Sequence, residues 1–88
     1  MSRWSKNPDG WSHKVTEHYQ WGLTQSRVSR AWTLYKSMPD DSVVRWWDAP
    51  IPYKKVKGRW VCPKRADSRR WSLARARKWA NTVIEANS

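Results

Sequence analysis

Phenylalanine is absent from this 88-residue chain, and leucine, isoleucine and valine together number only twelve. A core built mainly of aliphatic side chains is therefore excluded. Cysteine occurs once, at Cys62, so no internal disulfide can form and a reducing compartment is expected. No run approaches the roughly 20 apolar residues of a membrane-spanning helix. Residues 1–10 are polar and lack the apolar stretch of a secretory signal. Glycine occurs three times and forms no phosphate-cradling loop. Acidic residues are scarce, with seven Asp and Glu against eighteen Lys and Arg, for a net charge of +11.

Low aliphatic content with high net charge ordinarily describes a disordered chain. Nine Trp and three Tyr argue against that here. Each buries roughly 150–250 Å², so the aromatics supply the core that the aliphatics cannot. The length allows one domain. The reading is a flexible tail over residues 1–10, with Trp4 pinning it to the body, and a single compact, basic domain over 11–88.

The charge is uneven. Residues 1–44 carry a net +2 and residues 45–88 a net +9. Between Tyr53 and Lys78 lie eleven bases opposed only by Asp67. A solvated face would mix the signs. A nearly single-signed block costs stability by self-repulsion, so a polyanionic partner is expected. Nucleic acid leads, an acidic protein surface follows, and a membrane surface comes last.

From Trp11 to Trp21 the even positions Ser12 to Gln20 are all polar, which reads as one strand of period two. Thr24–Ser37 reads as a helix, with Leu23, Val28, Ala31, Trp32, Leu34, Tyr35 and Met38 on one side, Thr24 as cap and Pro39 as stop. Asp40, Asp41 and Ser42 read as caps of a second, short helix over Val43–Asp48. The β-branched pair Val43 and Val44 leaves a strand open there. Two β-favouring runs, Tyr53–Val56 and Arg59–Cys62, flank Lys57-Gly58 and predict a hairpin. Ala66–Ala86 reads as an amphipathic helix capped at Ser68. It buries Leu73, Ala76, Trp79, Ala80, Val83 and Ile84, with Trp71 packed back on the hairpin. The fold class expected is α+β: a winged-helix-like domain of two or three helices plus a basic hairpin around an aromatic-rich core.

Catalysis finds little support. His13, His18 and Cys62 lack metal-binding spacing, and helix capping accounts for Asp40 and Asp41. Neither a metal, a cofactor, a small-molecule substrate nor an enzyme activity is expected. The tryptophans serve either as core or as flat surfaces for bases and partners. Trp32, Trp60 and Trp79 read as core. Trp46 and Trp47 are both candidate exposed anchors; adjacent in the expected helix and about 100° apart, they allow one to be buried while its neighbour is more exposed.

The order short helix, proline-punctuated chain, basic hairpin, helix is that of a winged-helix reader. Ser42 and Arg45 would then sit in the recognition helix, with Arg45 on a base edge. Lys54, Lys55, Lys57 and Arg59 in the wing, Lys64, Arg65, Arg69 and Arg70 beyond it, and Arg27 and Arg30 before it would neutralise phosphates. The runs Ser42-Val43-Val44-Arg45-Trp46-Trp47, Ile51-Pro52, Val56-Lys57-Gly58-Arg59-Trp60-Val61-Cys62-Pro63 and Ala66-Asp67, with Trp71, resemble the excisionase type of winged helix. The likeness covers residues 42–71. It implies a phage or mobile-element protein in a bacterial cytoplasm that binds and bends duplex DNA beside an integrase and has no catalytic site. The segment Tyr35–Asp41 departs from the family, which carries Glu-Ala-Ala before a Gly-Val-Ser turn. A competing placement makes Gly22–Arg30 the turn and recognition helix, with Gln25, Ser26 and Arg27 facing bases. Two other functions compete: a small phage-type protein that binds and inhibits or redirects a host protein machine through a basic, Trp-rich surface, and a single-strand binder by Trp stacking.

Overall fold

The computed structural model describes residues 4–8 and 10–87. Among these residues, seven strands, a 3₁₀ turn and one helix follow each other in sequence. Strands β1 (Ser5–Lys6), β2 (Ser12–Val15), β3 (Gln20–Gln25), β4 (Trp32–Ser37) and β5 (Val43–Asp48) form an antiparallel meander in sequence order. Strands β6 (Lys54–Val56) and β7 (Arg59–Val61) form a separate two-stranded ribbon. A 3₁₀ turn at Ser68–Arg70 leads into α1 (Leu73–Asn87).

This mostly β architecture overturns the winged-helix expectation. Thr24–Ser37 is not a helix but the end of β3, a turn, and β4. Of the apolar positions that mimicked a helical face, Leu23 belongs to β3, Trp32, Leu34 and Tyr35 to β4, and Val28, Ala31 and Met38 lie outside both; Trp21, Leu23, Trp32 and Leu34 are buried at alternate positions of their strands. The turn between them is stabilised locally. The Ser26 hydroxyl accepts from the amides of Val28 and Ser29 at 3.3 and 3.2 Å, and Arg30 sits at φ 63°. Val28, expected on the buried side, is 97% exposed at its tip. Val43–Asp48 is likewise β5 and not a helix, as the β-branched pair allowed. Its expected caps form the β4–β5 turn: the amides of Ser42 and Asp41 donate to the Asp40 carboxylate and the Met38 carbonyl.

The single strand expected over 11–21 is two strands joined at Thr16–Tyr19. Val15 pairs with Gln20 and Ser12 with Leu23, so odd positions of β2 oppose even positions of β3. The face assignment inverts as a result: Ser12 is buried and His13 turns to the other side of the sheet. The tail reading falls partly on Met1–Arg3 and Asp9, which lie outside the described residues. Ser5 and Lys6 pair with β2, and the Trp4 indole donates to Asn81 at 3.0 Å, so that residue is fixed to the body.

The ribbon and the last helix were legible. Lys57 and Gly58 both have positive φ, at 49° and 79°, as a two-residue hairpin of matching twist requires. The helix starts later than expected. Asp67 caps the 3₁₀ turn, and the Ser72 hydroxyl accepts from the Arg75 amide at 3.2 Å, capping α1. Ala76, Ala80 and Ile84 are buried, flanked by Leu73, Trp79 and Val83, the six residues of the predicted face. Small Ala76 and Ala80 let the helix approach a sheet face crowded with Trp21, Trp32 and Trp47. Trp71 packs beside Trp79, at 6.1 Å between centroids, and against the core cluster.

Polar contacts fix α1 along the sheet. The Arg77 guanidinium donates to the Ser12 hydroxyl, Lys14 donates to Asn81, and Lys36 donates to the Asn87 carbonyl. No described helix is long and apolar enough to cross a membrane.

Candidate nucleic-acid interface

The meander and the helix give the molecule two unlike ends. At one lie the Thr16–Tyr19 turn, the Met38–Ser42 turn and the C-terminal turn of α1. These segments carry Glu17, Asp40, Asp41 and Glu85 and no Lys or Arg. At the other lie the turn from Ser26 to Ala31, the 3₁₀ turn and the start of α1. The chain also leaves β5 at this second end, where the Ala49 amide bonds to the Trp32 carbonyl. The ribbon and its bases therefore project from the end where Arg27 and Arg30 also sit. The helix N-terminus, with its partial positive charge, points the same way.

A cleft of about 540 Å³ opens there between the β3–β4 turn and the 3₁₀ turn, lined by Ser29, Arg30, Asp67, Arg69 and Arg70 among others. The Gln25 amide ties the two walls together by donating to the carbonyls of Arg30 at 2.9 Å and Arg69 at 3.3 Å. Within the cleft Arg69 is committed. Its Nε and Nη2 donate to the two oxygens of Asp67 at 2.9 and 3.0 Å, and its amide donates to the same carboxylate. These bonds hold the Asp67 carboxyl below its ordinary range and raise the Arg69 guanidinium. Asp67 is buried. Arg69 thus closes an internal pair, and Arg30 and Arg70 supply the open charge.

The ribbon is exposed along its whole length. Its register sets Lys55 opposite Trp60 on one face, and Lys54 opposite Val61 and Val56 opposite Arg59 on the other. Trp60, expected in the core, is 68% exposed. Tyr53 at the base of the ribbon is also exposed. Lys64 and Arg65 follow in the exposed segment between β7 and the 3₁₀ turn.

No family model, curated protein or solved structure matches this chain.

Two of the expected contact residues fall outside the cluster. Arg45 lies on β5 beside Lys36, on the sheet face that α1 covers, with its guanidinium 4.9 Å from the Trp47 ring centre. Ser42 sits in the acidic Met38–Ser42 turn. The strand replaces the recognition helix that would have presented both to a groove. The competing placement fails likewise, because Gly22–Gln25 belong to β3 and Ser26–Arg30 to the turn after it. Trp46 and Trp47 do divide as expected, by strand alternation: Trp46 is 59% exposed, and Trp47 stacks on Trp21 at 6.0 Å. The exposed aromatic that sequence reasoning missed is Trp60. Its signal was a tryptophan in a hairpin whose other positions are nearly all Lys, Arg or Val, too few apolar residues to bury it.

Proposed function

We propose that this protein binds nucleic acid through its basic end, with the β6–β7 ribbon entering a groove of duplex DNA. The single observation carrying this reading is the ribbon itself. Lys54, Lys55, Lys57 and Arg59 stand on six strand residues and a turn that are all exposed. An isolated two-stranded hairpin is marginally stable in water, and four cations on one make it less so. A polyanion that supplies the missing counter-charge accounts for the composition. A two-stranded ribbon fits the major groove of B-form DNA, about 12 Å wide. Arg27, Arg30, Lys64, Arg65 and Arg70 then flank the ribbon, where backbone phosphates would pass. They position the protein without reading sequence.

A second reading shares the same surface. Trp60 is the most exposed aromatic of the ribbon and faces out beside Lys55. That pairing suits stacking on an unpaired base while the lysine holds the adjacent phosphate.

One experiment tests both readings: anisotropy titrations of a labelled 20-base-pair duplex and of one of its single strands, across a range of salt. About six phosphate contacts give a slope near −5 for log affinity against log salt on duplex. A flat dependence for both ligands overturns the proposal. Tighter binding to the single strand that is lost in Trp60→Ala selects the stacking reading.

A further inference from the structure

The sheet face that α1 leaves open carries a second site, remote from the ribbon. A cavity of about 350 Å³ is lined by Trp11, His13, Tyr35, Ser37, Asp41 and Val43 together with β3. Gly22 in β3 helps to make it: a Cβ at that position would meet the Trp11 ring at 3.1 Å, tighter than ordinary contact, so glycine lets this ring lie close to the strand. The centroids of Trp11 and Tyr35 are 5.4 Å apart with planes tilted by 36°, and His13 lies 6.3 Å from Trp11 at 35°. Tilted rings at these distances form a concave wall, not a closed stack. The Nε2 atom of His13 is buried there and has no hydrogen-bond partner among the described residues. Among the described residues no Lys or Arg lines the cavity, and Asp41 is its one carboxylate.

These features select the sign of a ligand. The faces of Trp and Tyr rings carry negative potential and attract cations. A carboxylate at the rim adds to that field, and Asp40 is its neighbour in sequence. A phosphate would meet that carboxylate and no Lys or Arg among the lining residues. Apolar walls favour a cation that carries carbon, because a small hydrated ion would keep its water.

We propose that this site binds an organic ammonium: an alkylated amine, either free or at the end of a methylated lysine side chain. Its methyl groups rest on Trp11 and Tyr35, and Asp41 balances its charge. The site does not depend on the basic end, so nucleic-acid binding and ammonium binding stand or fall separately.

The test is a ¹H–¹⁵N spectrum of the full chain titrated with trimethylammonium, with a dimethyllysine peptide, and with tert-butanol as a neutral compound of similar size. Saturable shifts at the Trp11 indole and the Gly22 amide are expected for both amines, with affinity at least about tenfold above that for tert-butanol. Asp41→Asn keeps the positive φ of that residue, which asparagine tolerates. It is expected to cost a further several-fold while the remaining spectrum stays in place. Tyr35→Thr, a strand-favouring residue without a ring, is expected to abolish the preference for a cation. Tighter binding of the peptide than of the free amine assigns the site to a modified protein, and equal binding assigns it to a small metabolite. No saturable shift, or equal affinity for tert-butanol, overturns the proposal.

Discussion

The same residue plays opposite parts in the body and in the ribbon. Trp21 is 1% exposed between α1 and the sheet, stacked on Trp47 and roofed by Lys36, whereas Trp60 is 68% exposed on a ribbon with no buried residue. The body explains its own composition, because every large ring on its helix face is covered by another element. The ribbon does not explain its composition. None of its side chains joins the core cluster, so their chemistry is directed outward. The molecule is correspondingly drawn out, 48 Å long against 26 and 23 Å across. Its radius of gyration of 14.4 Å exceeds the roughly 12 Å of a compact domain of this length.

The sharpest way to break this comparison is to truncate one tryptophan in each region. Trp21→Ala is expected to cost about 3–5 kcal/mol, a large fraction of the stability of so small a domain. Trp60→Ala is expected to stay within about 0.5 kcal/mol. Urea unfolding followed by far-ultraviolet circular dichroism measures both. A large loss from Trp60→Ala would mean that the ribbon packs on the body in solution, and the argument for an outward role would fall.

Next in size is the charge of the ribbon. Replacing Lys54, Lys55, Lys57 and Arg59 together by Ala is expected to reduce the salt slope of duplex binding by about 3–4. The melting temperature should hold or rise, since like charges are removed from one small element. Asp40→Asn with Asp41→Asn, at the far end, is expected to leave the slope unchanged. Equal effects at the two ends would reduce binding to net charge alone.

Which parts were legible in the sequence follows the range of the interactions that form them. The ribbon depends on Lys57-Gly58 and three residues on either side, and α1 on a period that runs unbroken from Leu73 to Ile84. Both are local, and both were read from pattern. The sheet depends on pairings such as Ser12 with Leu23 and Tyr35 with Trp46, whose register is set across a turn and leaves no periodicity along the chain. Its strands are two to six residues long and its turns are short, so a helical window over 24–38 spanned two strands and the turn between them. The basic site was legible to the same extent. Residues 54 to 70 are contiguous and stayed together. Arg45 was assigned through a helix that does not form, and Arg69 was counted as open although Asp67, two residues away, takes it.

The ribbon can also be altered in shape with its charge kept. Gly58 has φ 79° with open space where a Cβ would stand, so Gly58→Ala meets backbone strain and no clash. A left-handed alanine costs about 1–2 kcal/mol. Because no ribbon residue belongs to the core cluster, that cost should appear as fraying of β6–β7 in amide exchange, with the unfolding of the body unchanged. Duplex affinity is expected to fall several-fold at constant net charge. Unaltered affinity would mean that the cations act as a loose cluster and that no groove recognises a ribbon.

The smallest effect expected lies at the joint between the two regions, where Asp67 holds Arg69 at the foot of the ribbon segment. The Arg69 side chain lowers the Asp67 carboxyl, and at the other end the Ser42 amide does the same to Asp40. A carboxyl lowered by folding binds its proton less readily in the native state than in the unfolded chain. Its contribution is therefore present above the ordinary carboxylate value and lost as the pH falls through the lower, folded one. Stability should decline on acidification toward about pH 2. Asp67→Asn should lower the urea midpoint at pH 7 and flatten the acid side of the profile. Asp40→Asn, at an exposed turn, should do the same more weakly. In Asp67→Asn the Arg69 guanidinium is released into the cleft beside Arg30 and Arg70, so duplex binding should tighten modestly while stability falls. Weaker binding in that variant would show that the Asp67–Arg69 pair shapes the cleft more than it neutralises it.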